Sequence, residues 1–176
     1  EAGKEFQINF HDKHVGEWTG LFNLYASKDM NVIVGCGLGG TSLINANVAL
    51  KADSRVFDDP RWPDEIRQDK DRLTVCYDRA LRMLGATPFP DRQNGIPILP
   101  KVEAQKNSAK AVNRPLVFPP INVTFKDRIN EAGVHQPACT YCGDCVSGCN
   151  YGAKNTTLMN YLPDAWNNGV EIYTQI

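Results

Sequence analysis

An α/β domain is the expectation from the chain's apolar patterning, and three stretches carry it. A short apolar run, Met30-Asn-Val-Ile-Val, leads into the glycine cluster Gly35-Cys-Gly-Leu-Gly-Gly. From Asp64 to Gly85, the residues Ile66, Leu73, Val75, Cys76, Ala80, Leu81, Met83 and Leu84 recur with the mixed spacing of a helix face. Near the end, Val170-Glu-Ile-Tyr-Thr alternates as a strand does, directly after the stop signal Asn167-Asn-Gly169.

Taken in order, residues 1–30 read as loop with short strand pieces, broken by Gly16 and Gly20 among scattered aromatics. Met30–Val34 reads as a short buried strand. Thr41 to Leu50 is expected to open as a helix, with Thr41 or Ser42 as its cap because a hydroxyl accepts from a free first-turn amide. Phe57-Asp-Asp-Pro-Arg-Trp-Pro is turn-rich. One long helix then starts at Pro63 or Asp64 and stops at Gly85, a residue that tolerates the left-handed conformation of a C-cap. Pro88 to Pro100 is a loop, and Lys101 to Val112 a second, largely polar helix. Phe118-Pro-Pro-Ile-Asn-Val-Thr-Phe resembles an edge strand, since its prolines cannot donate to a central ladder. Asn155 or Thr156 to Trp166 reads as the last helix.

Composition narrows the function classes. A formal net charge of −1 with mixed acids and bases carries no electrostatic footprint for nucleic acid. No apolar run approaches the roughly 18–20 residues that span a bilayer, and no basic start followed by an apolar stretch marks a signal peptide. The first residues, Glu-Ala-Gly-Lys, and the last, Glu-Ile-Tyr-Thr-Gln-Ile, read as an internal piece of something larger. Two sequons, Asn122-Val-Thr and Asn155-Thr-Thr, bear on a secreted chain alone; clustered thiols favour a reducing, cytoplasmic setting.

The glycine cluster matches G-x-G-x-x-G at Gly35, Gly37 and Gly40. Glycines there let backbone amides approach a phosphate and let a helix start close to a strand. A dinucleotide fingerprint also needs a second strand closing about 20 residues on with an acid. Here that region is Val56-Phe-Asp-Asp-Pro-Arg-Trp-Pro, which cannot be a central parallel strand, so the ordinary fingerprint does not apply. Cys36 within the cluster reads as a structural thiol. His11, His14 and His135 read as surface or capping residues.

The same stretch, Val34-Gly-Cys-Gly-Leu-Gly-Gly-Thr-Ser-Leu-Ile-Asn-Ala, resembles the second flavin-contact segment of the glucose–methanol–choline (GMC) oxidoreductases, with a Leu-Gly-Gly-Thr-Ser-x-x-Asn core unbroken from Leu38 to Asn45. Glu1-Ala-Gly is similar to the end of that family's second Rossmann strand, where an acid binds the adenosine ribose. Gly152-Ala-Lys-Asn-Thr-Thr-Leu-Met-Asn-Tyr-Leu, followed by Gly169-Val-Glu-Ile-Tyr-Thr, resembles the helix and strand leading to the adenine pocket. The cholesterol-oxidase-like and long-chain-alcohol-oxidase-like branch is the nearest in pattern.

The resemblance implies that residues 1–176 form part of a Rossmann-like FAD-binding domain of GMC type, with Glu1, Gly39, Gly40, Thr41, Ser42 and Asn45 against the cofactor. It implies oxidation of the CH–OH group of a small-molecule alcohol, sterol or long-chain, by hydride transfer to the flavin. Electrons would then pass to oxygen, a quinone or a cytochrome. It also implies that no catalytic residue lies in this stretch, the histidine that serves as base lying beyond Ile176.

Four of the six cysteines, Cys139, Cys142, Cys145 and Cys149, follow the spacing C-x2-C-x2-C-x3-C within a Cys-rich loop spanning 137–152. That is the bacterial ferredoxin run, with Asn150 in place of its proline. The fourth cysteine of such a run serves a second cluster, whose own run is absent here. Three readings stay open: ligands of an iron–sulfur cluster (4Fe-4S), a structural zinc site, or structural thiols. The first carries an alternative function, an iron–sulfur electron-transfer module without flavin chemistry.

Overall fold

The computed structural model describes residues 4–92 and 95–174. Its first unit is a four-stranded sheet of β1 (Phe6–Phe10), β2 (Lys13–Gly16), β3 (Phe22–Ala26) and β4 (Val32–Gly35), in the order β2-β1-β3-β4. The short strand pieces expected within residues 1–30 are β1, β2 and β3, more regular than a loop broken by strands. β1 and β2 form a hairpin, β3 runs parallel to β1, and β4 returns antiparallel to β3. Register pairs Phe6 with Phe22, and Ile8 with both Val15 and Leu24, so the apolar residues share one face. Gln7 and Asn9 point the other way: the Gln7 amide donates to the Gly20 carbonyl at 2.7 Å, and Asn9 to Asn23 at 2.6 Å. β4 was expected to be buried, but it is an edge, with Ile33 56% exposed, because it pairs on one side alone.

The long helix expected from Asp64 to Gly85 is two, α1 (Asp64–Gln68) and α2 (Lys70–Met83). Asp69 breaks the run at φ −117, ψ 67, and its carboxylate accepts from the Arg72 amide at 2.9 Å to cap α2. Leu73, Tyr77, Ala80, Leu81 and Leu84 form the half-buried stripe, whereas Val75 and Cys76 face out. Gly85 ends the helix as expected, at φ +56. Its amide bonds to Arg82 and that of Ala86 to Leu81, the double closure of a Schellman motif. α3 (Pro100–Ala111) begins on a proline, whose missing amide costs nothing in a first turn.

The remaining elements are short. β5 (Thr87–Pro88) pairs with β6 (Pro120–Ile121), and β7 (Arg128–Ile129) with β8 (His135–Gln136). The edge strand expected over 118–125 thus contracts to two residues. The helix expected from Asn155 to Trp166 resolves into a 3-10 turn, Thr157–Met159, and α4 (Tyr161–Asn167), parted at Asn160 (φ −135, ψ −76). The strand expected at Val170–Thr174 pairs with no strand among the described residues, and Tyr173 is 70% exposed. The helix expected over Thr41–Leu50 stops as a 3-10 turn, Gly40–Leu43. Asn45 Oδ1 accepts from the Asn47 amide at 3.2 Å, and Asn47 sits at φ +66; this side-chain bond competes with a continued helix.

Mixed α/β architecture therefore stands, but the Rossmann-like layering does not appear among the described residues. Their parallel pair, β1 and β3, is joined through β2 rather than through a crossover helix. Among the described residues, no helix is long and apolar enough to cross a membrane.

What lies inside is mostly polar. Among the described residues, Val123, Ala132, Ala153 and Phe57 are the buried apolar ones, beside the buried polar residues Gln7, Asn47, Asn122, Thr124, Asn130, Gln136, Lys154, Asn155, Thr156 and Asn160. Backbone bonds zip three segments together: Asn122 to Asn47 at 2.8 Å, Asn155 to Asn122 at 2.9 Å, and Thr124 to Ala153 at 2.9 Å. Asn130 Oδ1 accepts from Ala132 and Val134, both at 3.0 Å, while its amide donates to the Met159 carbonyl at 2.6 Å. Both sequon asparagines sit in this polar core, Asn122 at 7% and Asn155 at 3% exposure, closed to glycosylation in the folded chain.

Candidate functional site

β4 delivers the chain into a turn that glycine alone permits. Gly37, Gly39 and Gly40 have φ of 134, 113 and 57, and the Gly40 amide closes back on the Gly37 carbonyl at 2.9 Å. A Cβ on Gly35 would meet the Gly40 carbonyl at 2.5 Å, so that residue is held to glycine by close approach. A Cβ on Gly40 would meet nothing within 4 Å, so this side of the turn is open. Among the described residues, no protein acceptor takes the amides of Gly37, Leu38 or Gly39. Successive free amides in a left-handed turn suit an anionic or polar group.

Of the residues expected to face a cofactor, Gly39, Gly40, Thr41, Ser42 and Asn45 are gathered on this one turn, while Glu1 lies outside the described residues. Their side chains divide. Thr41 and Asn45 are exposed. Ser42 turns inward: its hydroxyl donates to the Gly39 carbonyl at 2.6 Å and meets the Thr157 hydroxyl at 3.0 Å.

The turn is held from behind by Lys154 and by Thr157, the latter within the helix expected from Asn155 or Thr156. Thr157 donates its amide to Ser42 Oγ at 3.0 Å and its hydroxyl to the Gly39 carbonyl at 2.9 Å. Lys154, 2% exposed, sends its ammonium to the carbonyls of Leu43 (2.8 Å), Asn45 (2.9 Å) and Cys145 (2.7 Å). Burial pulls that amine below its ordinary range, and the neighbouring Cys145 and Cys149 thiols act in the opposite direction. Neither residue was singled out from sequence. The one available signal was that Lys154 has no acidic residue within four positions on either side.

The cysteine loop does not build a metal centre. Among the described residues, no three His, Cys, Asp or Glu side chains converge so as to hold a metal ion. The 3-10 turn Asp144–Ser147 separates Cys142 from Cys149. Cys145 lies against Lys154 through its carbonyl, while Cys142 stays exposed. All six cysteines are free thiols. The iron–sulfur and zinc readings find no support here: among the described residues the ferredoxin spacing is present without the convergence a cluster requires. The electron-transfer alternative loses its support with them. Cys139 is held as a neutral thiol, pushed up first by burial, with the Tyr141 amide pulling the other way and the three other loop thiols adding to the rise.

The histidines fall away from the turn's backing segment. His14 stacks on Trp18, ring centres 3.5 Å apart, and bonds Asn9 at 3.0 Å; His11 forms the hairpin bend at φ 51, and His135 is exposed in β8. Apart from the turn, a hollow of about 860 Å³ opens between Phe89, Phe125 and Tyr141, with Val123 at its wall and Lys126 and Arg128 among its polar lining.

The family model described as GMC oxidoreductase matches residues 17–176. The chain is 30% identical over 164 residues to a cholesterol oxidase of Acinetobacter baumannii, covering 89% of this chain and 29% of that protein. It is 27% identical over 166 residues to a cholesterol oxidase of Mycobacterium tuberculosis (strain H37Rv), covering 87% of this chain and 28% of that protein. The chain thus spans less than a third of the length of these curated relatives.

Proposed function

The chain belongs to the GMC oxidoreductase family, and we propose that it supplies part of the FAD-binding domain of an enzyme that oxidises the CH–OH group of an alcohol. The observation that carries this reading is the Gly35–Asn45 turn: among the described residues the amides of Gly37, Leu38 and Gly39 have no protein acceptor, a Cβ at Gly40 would meet no atom within 4 Å, and the turn lies wholly within the matched residues.

In this reading the amides of Gly37, Leu38 and Gly39 donate to the polar and anionic parts of the cofactor. Gly40 keeps the approach free of side chain, and Thr41 and Asn45 offer a hydroxyl and an amide from the exposed side. Ser42 acts from within, fixing the turn through Thr157. Glu1 is assigned the adenosine ribose. When bound, FAD supplies the acceptor for the hydride removed from the alcohol carbon; the hydroxyl proton goes to a base outside these residues. The electron pair then passes to oxygen, a quinone or a cytochrome.

The substrate class we propose is a hydroxyl on an apolar molecule, sterol or long-chain alcohol. Two observations support it: the names of the relatives, both cholesterol oxidases, and the aromatic-walled hollow of Phe89, Phe125 and Tyr141. The test is purification of the full-length protein followed by flavin analysis and turnover of a sterol, a long-chain alcohol and glucose with oxygen or a dye. Bound FAD with turnover of an apolar alcohol is expected. Absence of flavin after reconstitution overturns the reading, and turnover of glucose alone overturns the substrate class.

A further inference from the structure

Lys154 is the most deeply buried cation among the described residues, and its surroundings are unusual for one. It forms no ion pair with a carboxylate there; three backbone carbonyls take its place. A neutral amine has two N–H donors, an ammonium three. Three acceptors at 2.7–2.9 Å therefore select the charged form. Stripping water from an ammonium is expensive, and no carboxylate among the described residues offsets that cost at Lys154. The arrangement holds a fixed positive charge, little screened by solvent, behind the turn.

We infer that Lys154 is a positioning residue for the proposed flavin site: its ammonium fixes the Leu43 and Asn45 carbonyls behind the glycine turn and places a positive charge there that favours the reduced cofactor. The inference rests on the reading of Gly35–Asn45 as the flavin turn. Accepting two electrons and one proton makes a neutral flavin more negative by one charge, so a buried cation nearby draws the equilibrium toward reduction. The third contact, to the Cys145 carbonyl, makes the cysteine loop part of the same support. That gives the loop a role that requires no metal.

The experiment uses the full-length holoenzyme, with Lys154→Met and Lys154→Arg. Lys154→Met is expected to retain FAD, to make the two-electron reduction at least tenfold less favourable, a fall of about 30 mV in midpoint potential, and to lower kcat with KM little changed. Lys154→Arg keeps the charge and is expected to restore most of the potential. Loss of thermal stability alone, with FAD bound and the potential unchanged in Lys154→Met, overturns the inference and leaves the flavin site standing. A wild-type protein that takes up no flavin overturns both. If Lys154→Met does not fold, wild-type holoenzyme labelled with 15N at lysine side chains carries the test. An exchange-protected ammonium signal that shifts when the flavin is reduced supports the inference, and lysine signals that ignore reduction overturn it.

Discussion

Ser42 and Thr157, 115 positions apart in sequence, meet hydroxyl to hydroxyl at 3.0 Å, and both bond the Gly39 carbonyl. This pair ties the glycine turn to the segment that follows the cysteine loop. Thr157→Val keeps the shape and removes the hydroxyl, so it leaves Gly39 and Ser42 each short of a partner. We expect a loss of about 1 kcal/mol in unfolding free energy and weaker FAD retention. Urea denaturation and released-flavin absorbance check the two parts.

Gly40→Val is expected to abolish FAD retention. A Cβ there would meet no atom within 4 Å, so the added side chain extends into the side assigned to the cofactor. The backbone strain at φ +57 adds about 1–2 kcal/mol. Asn45→Ala is milder: it removes an exposed amide and the Asx bond to Asn47, weakening the cofactor or shifting its potential. Flavin content equal to wild type in both variants would reduce the segment to a turn.

The thiols supply the third prediction. Metal analysis of anaerobically prepared protein is expected to find iron, sulfide and zinc at background, and Cys142→Ser is expected to leave FAD content unchanged. Alkylation should mark the exposed Cys76 and Cys142 first. Cys139 should react slowly at neutral pH, because burial raises its thiol above the ordinary 9.0. By the same sign, the neutral thiol's contribution to stability is present below pH 9.0 and lost as the pH rises through the folded value. Stoichiometric iron with sulfide would contradict this account of the loop.

Gly85→Ala tests the helix terminus. A Cβ there would meet the Arg128 guanidinium as well as strain a left-handed residue, so a loss of at least about 1–2 kcal/mol is expected by denaturant unfolding. Retained stability would show that the closure through Leu81 and Arg82 is dispensable.

Local chemistry made part of this molecule legible in its sequence. Gly85 as a stop and the glycine turn after an apolar strand each follow from one residue's backbone preference. What escaped reading depended on partners far away. The break at Asp69 arises because its carboxylate finds the Arg72 amide, and the helix after Ser42 fails because Asn45 bonds Asn47. Short strand pieces over residues 6–35 were expected, but their pairing into one four-stranded sheet was not, because the strands alternate weakly and the apolar face stays partly exposed. The cysteine spacing misled most, since spacing fixes proximity along the chain but not convergence of the thiols. At the site, the turn itself was visible, whereas Lys154 and Thr157 act across more than a hundred positions that no local pattern encodes.

Amide hydrogen exchange on the full-length protein, with and without FAD, tests the central claim most directly. The amides of Gly37, Leu38 and Gly39 have no protein acceptor among the described residues, so they should exchange readily in the apoprotein and become protected when FAD binds. FAD binding that leaves these three amides unprotected would contradict the assignment of the turn to the cofactor.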